Sequence, residues 1–173
     1  MSFRIGATVL INYDGTAIQS YNFKTKRVLG NLQKVLKFLD NYQVDEIHAI
    51  VPSKGKSIHN SIEIFSKLSN ISISTPLGIG GGITEDNIKI ITQDPFFERC
   101  IFNSAIFNNS QVLQQVKNIM GKQSIVASMP FIINNNILMI YNSEDDNFQK
   151  VKSNLWEEIN NKFNEIILLD AES

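Results

Sequence analysis

The chain has 173 residues, a formal net charge of −1 and a single cysteine. This length suits one domain with a sizeable core, so we expect residues 1–173 to form a single domain. The near-neutral charge gives no electrostatic reason to expect nucleic acid or a membrane surface as a partner, and no apolar stretch is long enough to span a bilayer. The lone Cys100 has no partner for an internal disulfide, and no Cys/His cluster has metal-ligand spacing. We therefore expect a cytoplasmic protein without a metal or cofactor.

Apolar runs and helical patterns alternate along the chain. Strands are predicted at 5–11, 46–51, 71–79, 99–103, 124–129 and 165–170. Helices are predicted at 31–41, 57–68, 85–93, 110–120 and 148–163, and a β-hairpin on an asparagine turn at 131–141. Short, nearly all-apolar strands alternating with helices favour an α/β protein with a parallel sheet, which is either doubly wound or a (βα)8 barrel.

Three consecutive glycines, Gly80, Gly81 and Gly82, lie between a predicted strand and a predicted helix. Glycine permits positive φ and a close approach of a ligand to bare N–H groups, and such a turn is a natural phosphate site. The spacing matches neither a dinucleotide fingerprint nor a Walker A loop. A tight turn that binds nothing explains the glycines equally well. Asn103 and Ser104 end the next predicted strand, at the same edge of the sheet.

Six segments occur in the order expected of one family: 4–15, 41–51, 76–84, 98–105, 121–129 and 164–170. Together they cover nearly the whole chain and resemble the HisA/HisF barrels, most closely the cyclase subunit of imidazole glycerol phosphate synthase. Residues 21–30 are more similar to paralogues of that subunit from surface-polysaccharide gene clusters.

The resemblance implies an α/β fold of the (βα)8 TIM-barrel type and a glutaminase partner that supplies ammonia through the barrel. It also implies a phosphorylated substrate at the carboxyl ends of the strands, with the phosphate site formed by Gly80, Gly81, Gly82, Asn103 and Ser104. Because residues 165–170 correspond to the sixth strand, the barrel would be incomplete. About six βα units are present and the last two strands are absent. We expect the open side to associate with another copy or another chain.

The family's cyclase uses two aspartates, at the ends of the first and fifth barrel strands, as a proton-donating and proton-accepting pair. Alignment on Asp14-Gly15 places Ile11 at the first position, and alignment on residues 123–126 places Pro130 at the second. Neither side chain carries a proton, so the catalytic acids are predicted to be lost and no catalytic residue is assigned.

Charged residues begin four of the predicted strands: Arg4, Glu46, Arg99 and Glu165. The resemblance implies that such residues form a ring at the bottom of the barrel, where ammonia enters. Solvated strand ends that serve only stability are the alternative.

We therefore expect a HisF-like subunit of a glutamine amidotransferase system, acting in histidine biosynthesis or in sugar amination. One alternative is a non-catalytic protein that binds a phosphorylated metabolite or a glutaminase. Another is an unrelated α/β enzyme that shares only the phosphate turn.

Overall fold

The computed structural model describes residues 4–21, 25–52, 58–108 and 111–171. The strands are β1 (Gly6–Ile11), β2 (Thr16–Tyr21), β3 (Thr25–Asn31), β4 (Glu46–Ile50), β5 (Leu77–Gly80), β6 (Phe97–Phe102), β7 (Ile125–Asn134), β8 (Ile137–Asn142), β9 (Asn147–Lys150) and β10 (Glu165–Asp170). The helices are α1 (Leu32–Asn41), α2 (Ile58–Leu68), α3 (Ile88–Gln93), α4 (Gln111–Met120) and α5 (Leu155–Lys162).

The ten strands form a single sheet. Along it the order is β3-β2-β1-β4-β5-β6-β7-β8-β9, and β10 pairs with β7. The pairs β1–β4, β4–β5, β5–β6, β6–β7 and β7–β10 are all parallel. The predicted α/β protein with a parallel sheet is thereby confirmed.

Antiparallel hairpins extend the sheet at both ends. The hairpin of β7 and β8 was predicted, and Asn135 and Asn136 form its turn with φ of 49° and 61°. Asparagine tolerates this left-handed conformation better than most residues do. The strands β2 and β3 were not predicted, because their sequences contain no continuous apolar run.

The predicted helix at 148–163 is wrong in its first part. Residues 147–150 form β9, which pairs antiparallel with β8, and α5 begins only at Leu155. The rings of Phe148 and Tyr141 lie 5.3 Å apart across this pair. A cross-strand aromatic contact of this kind stabilises a sheet and here outweighs the local helical pattern.

The predicted strand at 71–79 is also too long, because β5 spans only Leu77–Gly80. The residues before it bond to the end of α1 instead. Asp40 Oδ1 accepts hydrogen bonds from the backbone N–H and the hydroxyl of both Ser74 and Thr75, at 2.7–3.0 Å. The first residues of the predicted helices at 57–68 and 110–120 lie outside the described residues.

The parallel sheet has two chemically different faces. One carries large apolar side chains such as Val9, Ile47 and Ile79, which are buried under the helices and form the main core. The opposite face carries Gly6, Glu46 and His48, together with the residues that pair in register with them on the neighbouring strands. We call this the interior face.

The sheet curls towards its interior face but does not close. Arg4, just before β1, lies 2.7 Å from Glu165 at the start of β10, although these strands belong to opposite ends of the parallel region. Within the described residues β10 pairs with β7 alone. Its Ile166 and Leu168 are 42% and 60% exposed, since no described helix covers them.

Candidate functional site

The glycine turn after β5 (residues 80–83) is shaped by its close approach to neighbouring strands. A Cβ on Gly80 would lie 2.8 Å from the carbonyl oxygen of Ile101. A Cβ on Gly81 would collide with the carbonyl oxygen of Val51, and the φ of Gly81 is +90°. Steric crowding alone requires glycine at position 80, and crowding together with positive φ requires it at position 81, with or without a ligand.

Asn87 holds this turn in place. Its side chain is fully buried, Oδ1 accepts a hydrogen bond from the N–H of Thr84 at 2.8 Å, and Nδ2 donates to the carbonyl of Gly82 at 2.7 Å. Sequence analysis did not single out this residue. An asparagine directly before an apolar helical run is the signal that could have identified it.

Three successive N–H groups of the glycine turn are available to a ligand. Within the described part of the chain, the backbone nitrogens of Gly81, Gly82 and Ile83 donate no hydrogen bond to protein. All three residues are partly exposed. Successive N–H groups on a backbone with positive φ form an anion-binding concavity.

Asn103 and Ser104 leave the sheet at the same edge as the glycine turn, because Gly80 of β5 pairs with Ile101 of β6. The side chain of Asn103 is engaged in the fold. Nδ2 donates to the carbonyls of Ser128 and Tyr141, both at 2.9 Å, and Oδ1 accepts from the N–H of Ser143 at 2.7 Å. Both donors of this amide are thus used, and a phosphate here would have to bind backbone groups or Ser104.

At the opposite ends of the strands, four charged residues form a closed set of ion pairs. Arg4 lies 3.6 Å from Glu46 and 2.7 Å from Glu165, and Arg99 lies 3.0 Å from Glu46 and 2.6 Å from Glu165. Each guanidinium bridges both carboxylates. We call these four residues the charge ring.

The charge ring compensates for the burial of its own members. Glu46 has only 8% of its side chain exposed. Apart from the ion pairs, Glu46 Oε1 and Arg99 Nη1 have no hydrogen-bond partner among the described residues. Burial raises the pKa of Glu46, but His48, Arg99 and Arg4 outweigh it and leave this pKa below its ordinary value. Burial also raises the pKa of Glu165, but Arg99 and Arg4 outweigh it, so this pKa too lies below its ordinary value. Both carboxylates are therefore ionised at neutral pH.

The positions aligned with the family's acids carry apolar side chains. Ile11 is fully buried in the helix-side core together with Val9. The residue of β1 that faces the interior is instead Leu10, which pairs in register with Ile50. Pro130 is buried and pairs in register with Leu169 on the interior face.

Neither a reactive thiol nor a metal site is found among the described residues. Burial raises the pKa of Cys100 to about 12, so its thiol is unreactive at neutral pH. No group of His, Cys, Asp and Glu side chains with metal-binding geometry occurs among the described residues. In the same part of the chain, none of the helices has the length and hydropathy needed to cross a membrane.

The curled parallel sheet with helices on its outer face defines an α/β protein of the barrel type. Residues 8–172 match the family of the histidine biosynthesis protein, and the chain belongs to this family, the HisA/HisF family of TIM barrels. Its curled, unclosed parallel sheet is an incomplete form of the (βα)8 barrel.

Three relatives carry the name "Putative imidazole glycerol phosphate synthase subunit hisF2". The protein of Prochlorococcus marinus (strain MIT 9313) is 32% identical over 109 residues, which are 62% of this chain and 41% of the relative. That of Parasynechococcus marenigrum (strain WH8102) is 29% identical over 131 residues, 71% of this chain and 47% of the relative. That of Vibrio vulnificus (strain YJ016) is 24% identical over 130 residues, which are 74% of this chain and 47% of the relative. The chain thus spans about half the length of the curated relatives it matches.

Proposed function

We propose that this protein is a HisF-like subunit of a glutamine amidotransferase system that binds a phosphorylated small molecule at the carboxyl edge of its parallel strands. The observation that carries the proposal is the row of three unbonded, partly exposed N–H groups at residues 81–83. Backbone donors that lack protein acceptors are suited to phosphate oxygens. Ser104 adds a hydroxyl at the same edge, from the neighbouring strand.

We further propose that a glutaminase docks at the amino ends of the strands and that ammonia enters through the charge ring. This role is supported by the position of the ring on the interior face and by the names of the relatives. Histidine biosynthesis and sugar amination are the two processes to which such a subunit would contribute.

The reaction of the family's cyclase requires an acid and a base that this chain lacks at the aligned positions. Leu10, Ile11 and Pro130 have no ionisable group, and the interior face near them is apolar. This observation favours a second candidate function, a non-catalytic protein that binds a phosphorylated metabolite or regulates a partner glutaminase.

Phosphate binding is tested by thermal unfolding in sodium phosphate and in sodium chloride of equal ionic strength. Phosphate at ten times its dissociation constant should raise the midpoint by about 4 °C relative to chloride. Ser104→Ala should reduce this difference, whereas Ser69→Ala, a change at the end of α2, should preserve it. Equal midpoints in the two salts would reject the phosphate site.

Two activity assays separate the candidate functions. A catalytic subunit converts the phosphorylated ribulosyl precursor in the presence of ammonium. A non-catalytic partner leaves this precursor unchanged but increases glutamate release when it is mixed with a glutaminase of the amidotransferase type. A chain that changes neither precursor turnover nor glutamate release would contradict the catalytic subunit and the glutaminase regulator, and of these candidates only a metabolite-binding protein would remain.

A further inference from the structure

His48 is the imidazole nearest to the charge ring, and two glycines make room for it. It lies in β4 two residues after Glu46, on the interior face. A Cβ on Gly6 of β1 would lie 3.4 Å from its Cε1, and a Cβ on Gly78 of β5 would lie 3.2 Å from its Cδ2. A Cβ at Gly78 would crowd the imidazole ring, whereas one at Gly6 would make ordinary contact with it.

Glu46 determines which nitrogen of His48 carries the proton. His48 Nε2 lies 2.8 Å from Glu46 Oε1. Because the pKa of Glu46 is lowered, its carboxylate is ionised and can only accept. Nε2 must therefore hold a hydrogen, and in the neutral imidazole Nδ1 is left with its lone pair. Within the described residues, Nδ1 has no hydrogen-bond donor from the protein.

The charged groups around His48 are those of the charge ring. Glu46 contacts it directly, and Arg99 lies 3.0 Å from the same carboxylate oxygen. Arg4 and Glu165 complete the ring. Two carboxylates balance two guanidiniums in this ring, and Glu46 is the member that contacts His48 directly.

Beyond the ring and His48, the described interior face holds no ionisable side chain. Its other members are the apolar or small residues Leu10, Ile50, Gly78, Gly80, Ile101, Val126, Pro130, Ile167 and Leu169 and the hydroxyl-bearing Thr8 and Ser128. Imidazole is the side chain suited to gain and lose a proton in this range.

We propose that His48 Nδ1 binds ammonium on the interior side of the charge ring and accepts one of its protons. One N–H bond of ammonium breaks and an Nδ1–H bond forms, while the electron pair of the broken bond stays on the nitrogen of ammonia. The imidazolium then returns the proton to water, and no other reactant is needed. The inference rests on the proposed function, because a ring that admits ammonia would also meet its protonated form, ammonium.

The experiment is nitrogen NMR of the full chain labelled with ¹⁵N-histidine. His59→Gln assigns the signals, since the chain has two histidines. The unaltered chain should show the Nε2–H tautomer of His48. Ammonium chloride should shift its Nδ1 signal saturably, and potassium chloride of equal concentration should not, because potassium has a similar size but no N–H group. In Glu46→Gln the tautomers should mix and the ammonium shift should weaken at least threefold.

Two results would overturn the site: an Nδ1–H tautomer, or equal shifts in the two salts. Both readouts use the unaltered chain, so they stand even where Glu46→Gln fails to fold. A selective ammonium shift without any effect on glutamate release by a glutaminase would reject the proposed partner but retain the site at His48. An effect on glutamate release without a selective ammonium shift would reject the site at His48 and retain the proposed partner.

Discussion

At the scale of single residues, the glycine turn shows how one sequence pattern satisfies two demands. Gly81 is required by positive φ and by the carbonyl of Val51, while its N–H remains open to a ligand. The presence of glycine is therefore no evidence for phosphate by itself. The three successive N–H groups that lack an acceptor among the described residues are the stronger indication.

Gly81→Ala should destabilise the protein by about 3 kcal/mol, because the new Cβ meets backbone and the conformation is unfavourable for alanine. Urea unfolding at equilibrium measures this change. Gly15→Ala is the matched control: Gly15 has φ of +81° but open space around it, so a loss of about 1 kcal/mol is expected. Equal losses for both variants would show that the Val51 contact is unimportant.

The charge ring makes stability depend on pH in a defined direction. The pKa values of Glu46 and Glu165 are lowered below their ordinary 4.5. Such groups stabilise the fold fully above the pKa of the unfolded chain, and the contribution is lost as the pH falls through their folded pKa. The free energy of unfolding should therefore decline below about pH 4.5.

Glu165→Gln should cost about 2 kcal/mol at pH 7, since Arg99 is largely buried and loses a partner, while the partial exposure of Glu165 screens part of the effect. It should also flatten the decline in acid. Urea unfolding between pH 3 and 7 measures both quantities. Glu63→Gln removes an exposed pair with Lys67 and should change neither. An unchanged acid dependence in Glu165→Gln would contradict the ring's contribution.

At the scale of elements, asparagine side chains join segments that are separated in sequence. Asn87 closes the turn between β5 and α3, and Asn103 joins β6 to β7 and β8. The hairpin of β8 is thereby tied to the edge where the proposed ligand binds. Buried amides serve this purpose because each can donate two hydrogen bonds and accept others.

Asn87→Ala should destabilise the fold by about 2 kcal/mol, because two hydrogen bonds are lost and the N–H of Thr84 is left without its acceptor. It should also reduce the phosphate-dependent rise in unfolding midpoint, since the turn loses its support. Calorimetry in phosphate and in chloride measures both effects. Asn154→Ala, which removes an exposed bond to Glu158, should cost less than about 0.5 kcal/mol and preserve the phosphate effect.

At the scale of the whole molecule, the unclosed sheet leaves apolar surface at its end. Ile166 and Leu168 lie on the helix side of β10, where the other parallel strands are covered by helices. Gly6 and Thr8 of β1 are exposed on the interior face. We propose that a second copy of the chain covers the open side of the sheet between β10 and β1. The free edge of β10 lies next to exposed apolar residues, and such an edge favours association.

Leu168→Lys should shift the protein towards the monomer, since a charge in the proposed interface must be desolvated. Sedimentation velocity at micromolar concentration measures the change. Val28→Lys is the control: Val28 is 64% exposed on β3, at the other end of the sheet, and its replacement should leave association unchanged. A compact monomer of the unaltered chain would end the proposal.

Much of the fold could be predicted from local pattern. The parallel strands, most of the helices and the hairpin at Asn135 and Asn136 follow from apolar periodicity and turn residues. The strands β2, β3 and β9 could not, because polar hairpin strands have weak periodicity and depend on their partners. Alignment on Asp14-Gly15 selected Ile11, whereas the interior-facing residue is Leu10. Successive side chains of a strand point to opposite faces, so a shift of one residue changes the face.

The sequence by itself determined the chemistry at each position: glycines at the end of β5, charges near the amino ends of the strands, and apolar residues at positions 11 and 130. Only the tertiary structure decided that the amide of Asn103 is occupied, that His48 faces Glu46 and that Arg4 reaches Glu165. Residue type and spacing act within a few residues along the chain. Contacts between distant strands depend instead on the register and curl of the sheet, which arise from packing of the whole molecule.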